Sequence, residues 1–227
     1  MAGIGFKTIL FALIGGILPA LLWLWFWLRE DSKKPEPKLL LLLTFLIGMI
    51  SVLVVLPIQK LFVGFHISEN ILTIIWASIE EIVKFGAVWV IALSSKSADE
   101  PIDFAMYMII GALGFAALEN ALFLIDPIDL GESTVALITG NLRFLGAMLL
   151  HAVSSATIGI MLGLSFYRGW FSKKIYLLLG LGGAIALHST FNFLIINNSG
   201  SLLNVFSLLW VVTIIVLLMF EQLRRMS

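Results

Sequence analysis

The sequence has no cysteine, three histidines, six prolines and only 12% charged residues among 227. Without cysteine there is no disulfide and no thiolate metal site, so any metal would have to be held by His, Glu or Asp. A soluble domain carries about 25% charged residues. Half that fraction is incompatible with an ordinary water-facing surface and indicates an integral membrane protein. The formal net charge is +0, and with no basic excess a nucleic-acid partner is not expected.

What fills the chain instead is apolar: 60% of residues are hydrophobic, and the mean hydropathy is +1.08. A helix crossing a bilayer needs about 20 mostly apolar residues. Seven stretches qualify, at about 5–28, 39–59, 70–94, 102–125, 141–167, 174–196 and 202–222. They are separated by "REDSKKPEPK", "SSKSADEP", "DPIDLGES", "YRGWFSKK" and "NNSGS", which carry the Pro, Gly, Ser and charge of loops. The break "KLFVGFHISE" either extends the second helix or lies along the interface. The first stretch is longer than a signal-peptide core and ends in Trp23, Trp25 and Trp27 beside Arg29, so it reads as an anchor with an interfacial aromatic belt. The expected fold is therefore all-α: one transmembrane domain over 1–227, a polytopic bundle of about seven spans embedded in the lipid bilayer.

Lys and Arg set the orientation. With the N-terminus outside, the inner loops receive Arg29, Lys33, Lys34, Lys38, Lys96, Arg168, Lys173, Lys174, Arg224 and Arg225. The outer side receives only Lys7, Lys60 and Arg143. The C-terminus is then cytoplasmic. At 1.5 Å per residue, Glu80 and Glu81 lie roughly 15 Å below the outer end of the third span, and Glu119 roughly 9 Å below that of the fourth. His151 lies roughly 15 Å into the fifth and His188 roughly 12 Å from the outer end of the sixth. Four helices of alternating direction thus bring their most polar residues to one depth, in the outer half.

Ionisable groups inside a bilayer are costly and mark either paired structural contacts or sites. Glu80 and Lys84 are i, i+4 and share a helix face, as do His151 with Ser154 and Ser155, and His188 with Asn192. Asn120 is adjacent to Glu119. Taken singly, Glu80–Lys84 reads as an ion pair, the Asn and Ser residues as interhelical hydrogen bonds, Trp76 as packing and His66 as incidental. Together, three carboxylates, two imidazoles and an ammonium exceed what bundle packing requires. Small residues in "GALGFAAL", "AVSSATIG" and "GLGGAIALHS" place these positions in a packed interior. Carboxylate with imidazole suits the activation of water, and an amide such as Asn192 can steady an oxyanion. The same set could instead bind Zn²⁺, since two His and one Glu leave a position for water. No G-x-S-x-G elbow and no Gly-rich phosphate loop stands out.

The motifs "EEIVK" (Glu80 to Lys84), "FAALEN" (Phe115 to Asn120), "HAVSS" (His151 to Ser155) and "HSTFN" (His188 to Asn192) resemble, in order, those of the PrsW family of intramembrane proteases. The resemblance covers about 70–196, the expected four-helix catalytic core. It extends to the type II CAAX prenyl endopeptidases of the CPBP (Abi) group, whose pattern is EExxxR, FxxxH and HxxxN. Here the basic residue comes one position early, as Lys84, and Glu119 stands where that group has His. The resemblance implies that Glu80, with Glu81 beside it, activates water and that His188 and Asn192 stabilise the oxyanion. His151 would then replace the missing second partner, and Lys84, Asn120 and Ser155 would support the site. It implies a metal-free glutamate mechanism, or alternatively Zn²⁺ on Glu119, His151 and His188. It also implies a membrane-anchored protein substrate, an anti-sigma factor cleaved in a first step near the outer leaflet, and a place in the bacterial cell membrane. Two other readings of the polar cluster are a proton- or ion-coupled transporter, against which no inverted repeat is visible, and a non-catalytic chaperone or scaffold.

Overall fold

A computed structural model describes residues 4–30, 36–197 and 202–227. Its elements are α1 (Phe6–Glu30), α2 (Lys38–Lys60), α3 (Glu69–Val88), α4 (Pro101–Asp129), α5 (Ser133–Leu142), α6 (Met148–Leu164), α7 (Trp170–Asn197) and α8 (Leu202–Arg224). A π-helical turn, Trp89–Leu93, prolongs α3, and another, Arg143–Ala147, joins α5 to α6 into one rod. No strand occurs among the described residues. Among the described residues, six helices are long and apolar enough to cross a membrane. The chain is thus an integral, multi-pass membrane protein.

The expected seventh span is α3. With its π turn it runs roughly 35 Å, enough for a bilayer core of about 30 Å. It falls outside the six because it carries Glu69, Glu80, Glu81 and Lys84. The last three are buried in the bundle, so the charge that disqualifies the helix by composition faces protein rather than lipid. Two boundaries also shift. The fifth span begins at Ser133 rather than near 141, because Gly131, at a φ of 73°, turns the chain back immediately after α4. The uncertain stretch after α2 is neither helix nor continuation: α2 stops at Lys60, and a turn with a short extended piece leads to Ser68.

The centre of the bundle is α4 with the α5–α6 rod, whose apolar windows are 72% and 78% buried against 17–33% for the other spans. Apolar burial cannot drive helices together in lipid, so close backbone approach and hydrogen bonds must. Glycine supplies the approach. A Cβ on Gly48 of α2 would fall on the Gly111 carbonyl of α4, and one on Gly114 would fall on the Phe45 carbonyl. On the other side of α4, a Cβ on Gly159 of α6 would meet the Phe104 carbonyl. At its first turn α4 is held by a capping box, with the Asp103 carboxylate accepting from the Glu100 backbone N–H at 2.7 Å and Pro101 at the first position.

Gly114→Ala is expected to lower stability by about 1–3 kcal/mol, because the clash is with backbone and α2 must move off α4. Gly86→Ala, where nothing lies within 4 Å, should be neutral or slightly stabilising. Thermal unfolding of both variants in detergent decides: equal behaviour of the two would contradict the packing described.

Candidate functional site

The polar residues of four helices converge on one buried cluster. Glu81 is its hub. Its Oε1 accepts from Lys84 Nζ at 2.6 Å and from His188 Nδ1 at 2.8 Å, and its Oε2 accepts from Ser155 Oγ at 2.9 Å. It is fully buried, as is Lys84. Three helices, α3, α6 and α7, are thereby tied to a single carboxylate. A buried charge is tolerable only when paired and hydrogen-bonded to this degree.

Lys84 also donates to His151 Nδ1 at 3.0 Å and lies 4.8 Å from the centre of the Phe115 ring. An ammonium has donors only, so His151 Nδ1 must be the acceptor. The ring proton then sits on Nε2 and is donated to Glu119 Oε2 at 3.1 Å. His188 has the opposite arrangement. Its Nδ1–H is given to Glu81, so in the neutral ring Nε2 keeps a free lone pair, directed at Glu80 Oε2 across 3.7 Å. The two imidazoles stand edge to face with centroids 5.0 Å apart.

Glu80 is held differently. Gln59 Nε2 of α2 donates to its Oε1 at 3.0 Å, while its Oε2 is buried and has no hydrogen-bond partner. The permanent cations of the cluster serve the other carboxylates: Lys84 pairs with Glu81 and Arg143 with Glu119. Glu80 therefore presents one anchored oxygen and one free oxygen. It lines a cavity of about 610 Å³ with Gln59, Glu119, Arg143, His151, His188 and Asn192, and the remaining wall is largely apolar, including Trp76, Phe123, Phe191 and Phe206.

Each residue singled out by sequence can now be placed. Glu80, Glu81, Glu119, His151 and His188 belong to one connected network, and Asn192 lines the same cavity. Lys84 does not pair with Glu80 along the helix face, as i, i+4 spacing suggested. It turns to Glu81 and His151, because Gln59 already holds Glu80 and His151 offers an acceptor. Glu81 is the most completely bonded of the three carboxylates. Ser155 joins through Glu81, whereas Ser154 Oγ is buried without a partner. Asn120 accepts from Arg143 Nε at 2.5 Å. His66 is exposed in its loop and takes no part. Trp76, read as packing, lines the cavity with its indole N–H unpartnered.

Gln59 and Arg143 were not anticipated. Gln59 lies two residues after Pro57 at the end of α2, outside the expected core, and a polar residue beside a loop gives no signal of pointing inward. Arg143 counted as an outer-loop charge, but it turns inward onto Glu119.

Among the described residues, one set of metal-binding side chains is compact enough to hold an ion: Glu80, His151 and His188 offer ligand atoms within 4.8 Å of one another. The structure therefore favours Glu80 over Glu119 as the carboxylate of such a set. The set fits. Glu80 Oε2 and His188 Nε2 are both free of hydrogen-bond donors, and Glu81 behind His188 is the outer-shell carboxylate that orients a ligating imidazole. His151 would have to release either Lys84 or Glu119 to join.

The sequence model of a family described as "PrsW family intramembrane metalloprotease" matches residues 36–219. The chain is 27% identical over 187 residues to a protein named "Protease PrsW" from Clostridioides difficile (strain 630), covering 79% of this chain and 76% of that one. It is 29% identical over 171 residues to the protein of that name from Geobacillus kaustophilus (strain HTA426), covering 73% and 70%. No solved structure matches.

The tautomers can be tested directly, since the chain has three histidines. In ¹⁵N-histidine NMR spectra, His151 should be protonated at Nε2 and His188 at Nδ1. Finding the same tautomer at both would contradict the network.

Proposed function

Because the chain belongs to the PrsW family of intramembrane metalloproteases, we propose that Glu80 is the base that activates water for peptide-bond hydrolysis. The observation that carries this is the buried, unpartnered Oε2 of Glu80 facing the Nε2 lone pair of His188 at the cavity wall. A water between them donates one hydrogen to each. Its oxygen lone pairs are left for the scissile carbonyl carbon. As the C–O bond forms, Glu80 takes the proton and the carbonyl π electrons move to oxygen. The Asn192 amide, on the same cavity, is the donor for that oxyanion. Collapse of the tetrahedral intermediate breaks the C–N bond, and the proton on Glu80 goes to the leaving amine.

The other residues fix this pair. Gln59 holds one oxygen of Glu80 so that the other faces the cavity. Glu81 holds the His188 ring with its lone pair outward, which gives His188 the task of orienting water rather than that of an oxyanion donor. His151, Lys84 and Glu119 continue the network behind them. A scaffolding role would leave the unpaired oxygen of Glu80 without a task.

The substrate is read as a membrane-anchored protein, and a single-span anti-sigma factor is the class the motif resemblance supplies. Glu119 and His188 lie nearer the end of the bundle that carries the loop after α2 and the α4–α5 turn, while Glu80 and Glu81 stand near the middle of α3 with its π turn and His151 near the middle of the α5–α6 rod. Lys96, Arg168, Lys173, Lys174, Arg224 and Arg225 lie at the opposite end, which supports an outer-half cut by the positive-inside rule. The bilayer is that of a bacterial cell.

A second reading has its own observation in the Glu80–His151–His188 set and in the family's description. These three would hold Zn²⁺, which when bound supplies Lewis-acid polarisation of the scissile carbonyl.

The test uses purified protein in liposomes with single-span test proteins tagged at both ends. Glu80→Gln is expected to lower kcat by about 10²–10⁴-fold with the protein folded. Gln59→Leu should cost about 10-fold by loosening the base. Chelator should leave the rate unchanged. Wild-type turnover by Glu80→Gln would overturn the assignment, and chelator-sensitive cleavage restored by Zn²⁺ would establish the second reading.

A further inference from the structure

Arg143 opens the π-helical turn Arg143–Ala147, which interrupts an otherwise continuous rod from Ser133 to Leu164. The turn has a geometric consequence. Arg143 and His151 are eight positions apart, which in a regular α-helix separates them by about 80° round the axis. A π turn takes up one extra residue and brings them within about 20° of one stripe. Both side chains can therefore reach the same partner on α4, and they do. The Arg143 guanidinium and His151 Nε2 meet on the same oxygen, Glu119 Oε2.

The grip on Arg143 is threefold and comes from one end of α4. Glu119 accepts from its Nη2, Asn120 Oδ1 from its Nε at 2.5 Å, and the Phe123 ring lies 3.8 Å from its central carbon. The Arg143 and Glu119 side chains are each only 18% exposed. An arginine serving merely as an interfacial anchor would extend its guanidinium to water and headgroups. This one is turned inward, over the Phe123 ring, with two of its donors spent on neighbouring α4 residues. The planar fork satisfies both acceptors at once in a fixed geometry.

We propose that Arg143 is a positioning residue for hydrolysis: it fixes Glu119, which takes the Nε2–H of His151 and keeps Nδ1 open to Lys84, the ammonium that pairs with Glu81 behind His188. The π turn is the device that places it there. The proposal rests on the reading of Glu80 and His188 as the water-activating pair. It assigns Arg143 no contact with the substrate.

The experiment compares Arg143→Ala, Arg143→Lys, Glu119→Gln and Arg143→Ala/Glu119→Gln in liposomes with a tagged single-span test protein that the wild-type protein cleaves. Arg143→Ala is expected to lower kcat about 30-fold with KM within about threefold. Arg143→Lys, which keeps the charge and loses the fork, should recover only part of that loss. In the Glu119→Gln background, removing Arg143 should cost less than about threefold, because it acts through the group already altered. The ¹⁵N signal of His151 should shift in Arg143→Ala while that of His66 stays put. A rise in KM with unchanged kcat, losses that multiply in the double variant, or full activity of Arg143→Lys would each overturn the proposal. If Arg143→Ala does not fold, the Arg143→Lys rate and its His151 signal carry the same decision. Wild-type cleavage by Glu80→Gln would instead bring down the reading on which the proposal rests, and so separates the two failures.

Discussion

One carboxylate holds the site together. Glu81 accepts hydrogen bonds from α3, α6 and α7, with no solvent to share the load. In a bundle that cannot rely on water to push its helices together, such a contact fixes geometry as much as it contributes energy. The Lys84 ammonium makes the burial of Glu81 tolerable, and a second of its donors determines which nitrogen of His151 carries the proton. The orientation of His188 follows from the other side of the same carboxylate. Remove the Glu81 charge and the tautomer of His188 loses its cause.

Glu80 is defined by contrast with that hub. Adjacent residues on one helix point about 100° apart, so two neighbouring carboxylates occupy different surroundings by construction. Glu81 faces the α6 and α7 donors and is saturated. Glu80 faces α2 and the cavity, gains one amide from Gln59 and keeps one oxygen unbonded. A double glutamate is then a division of labour: one carboxylate organises and the other is left available. Apolar walls around the cavity exclude bulk water and strengthen whatever polar contact forms within it.

Much of this was legible in the sequence. Apolar run length located the helices, and the rarity of charge made each intramembrane Glu, His and Lys conspicuous. Depth counting brought Glu80, Glu81, Glu119, His151 and His188 to one level, and the structure joins them in one network, although the start of the fifth helix at Ser133 removes the count used for His151. Partner choice was not legible. Spacing on one helix suggested Lys84 for Glu80, but the acceptors that decide its direction stand on other helices. Gln59 and Arg143 gave no signal, because a polar residue near a helix end ordinarily belongs to the loop. A π turn, which leaves no mark in hydrophobic periodicity, is what turns Arg143 inward. The fifth helix was expected from about 141, whereas it starts at Ser133, directly after the turn at Gly131.

The central claim is that the free oxygen of Glu80 and the Nε2 of His188 share the water that attacks the peptide bond. The most direct measurement is an experimental structure of Glu80→Gln with an uncleaved single-span substrate bound. The account predicts the scissile carbonyl carbon in the cavity, within about 3.5 Å of a water held by residue 80 and His188 Nε2. A substrate peptide bond lying elsewhere in the bundle, or against a different side chain with no such water, would contradict it.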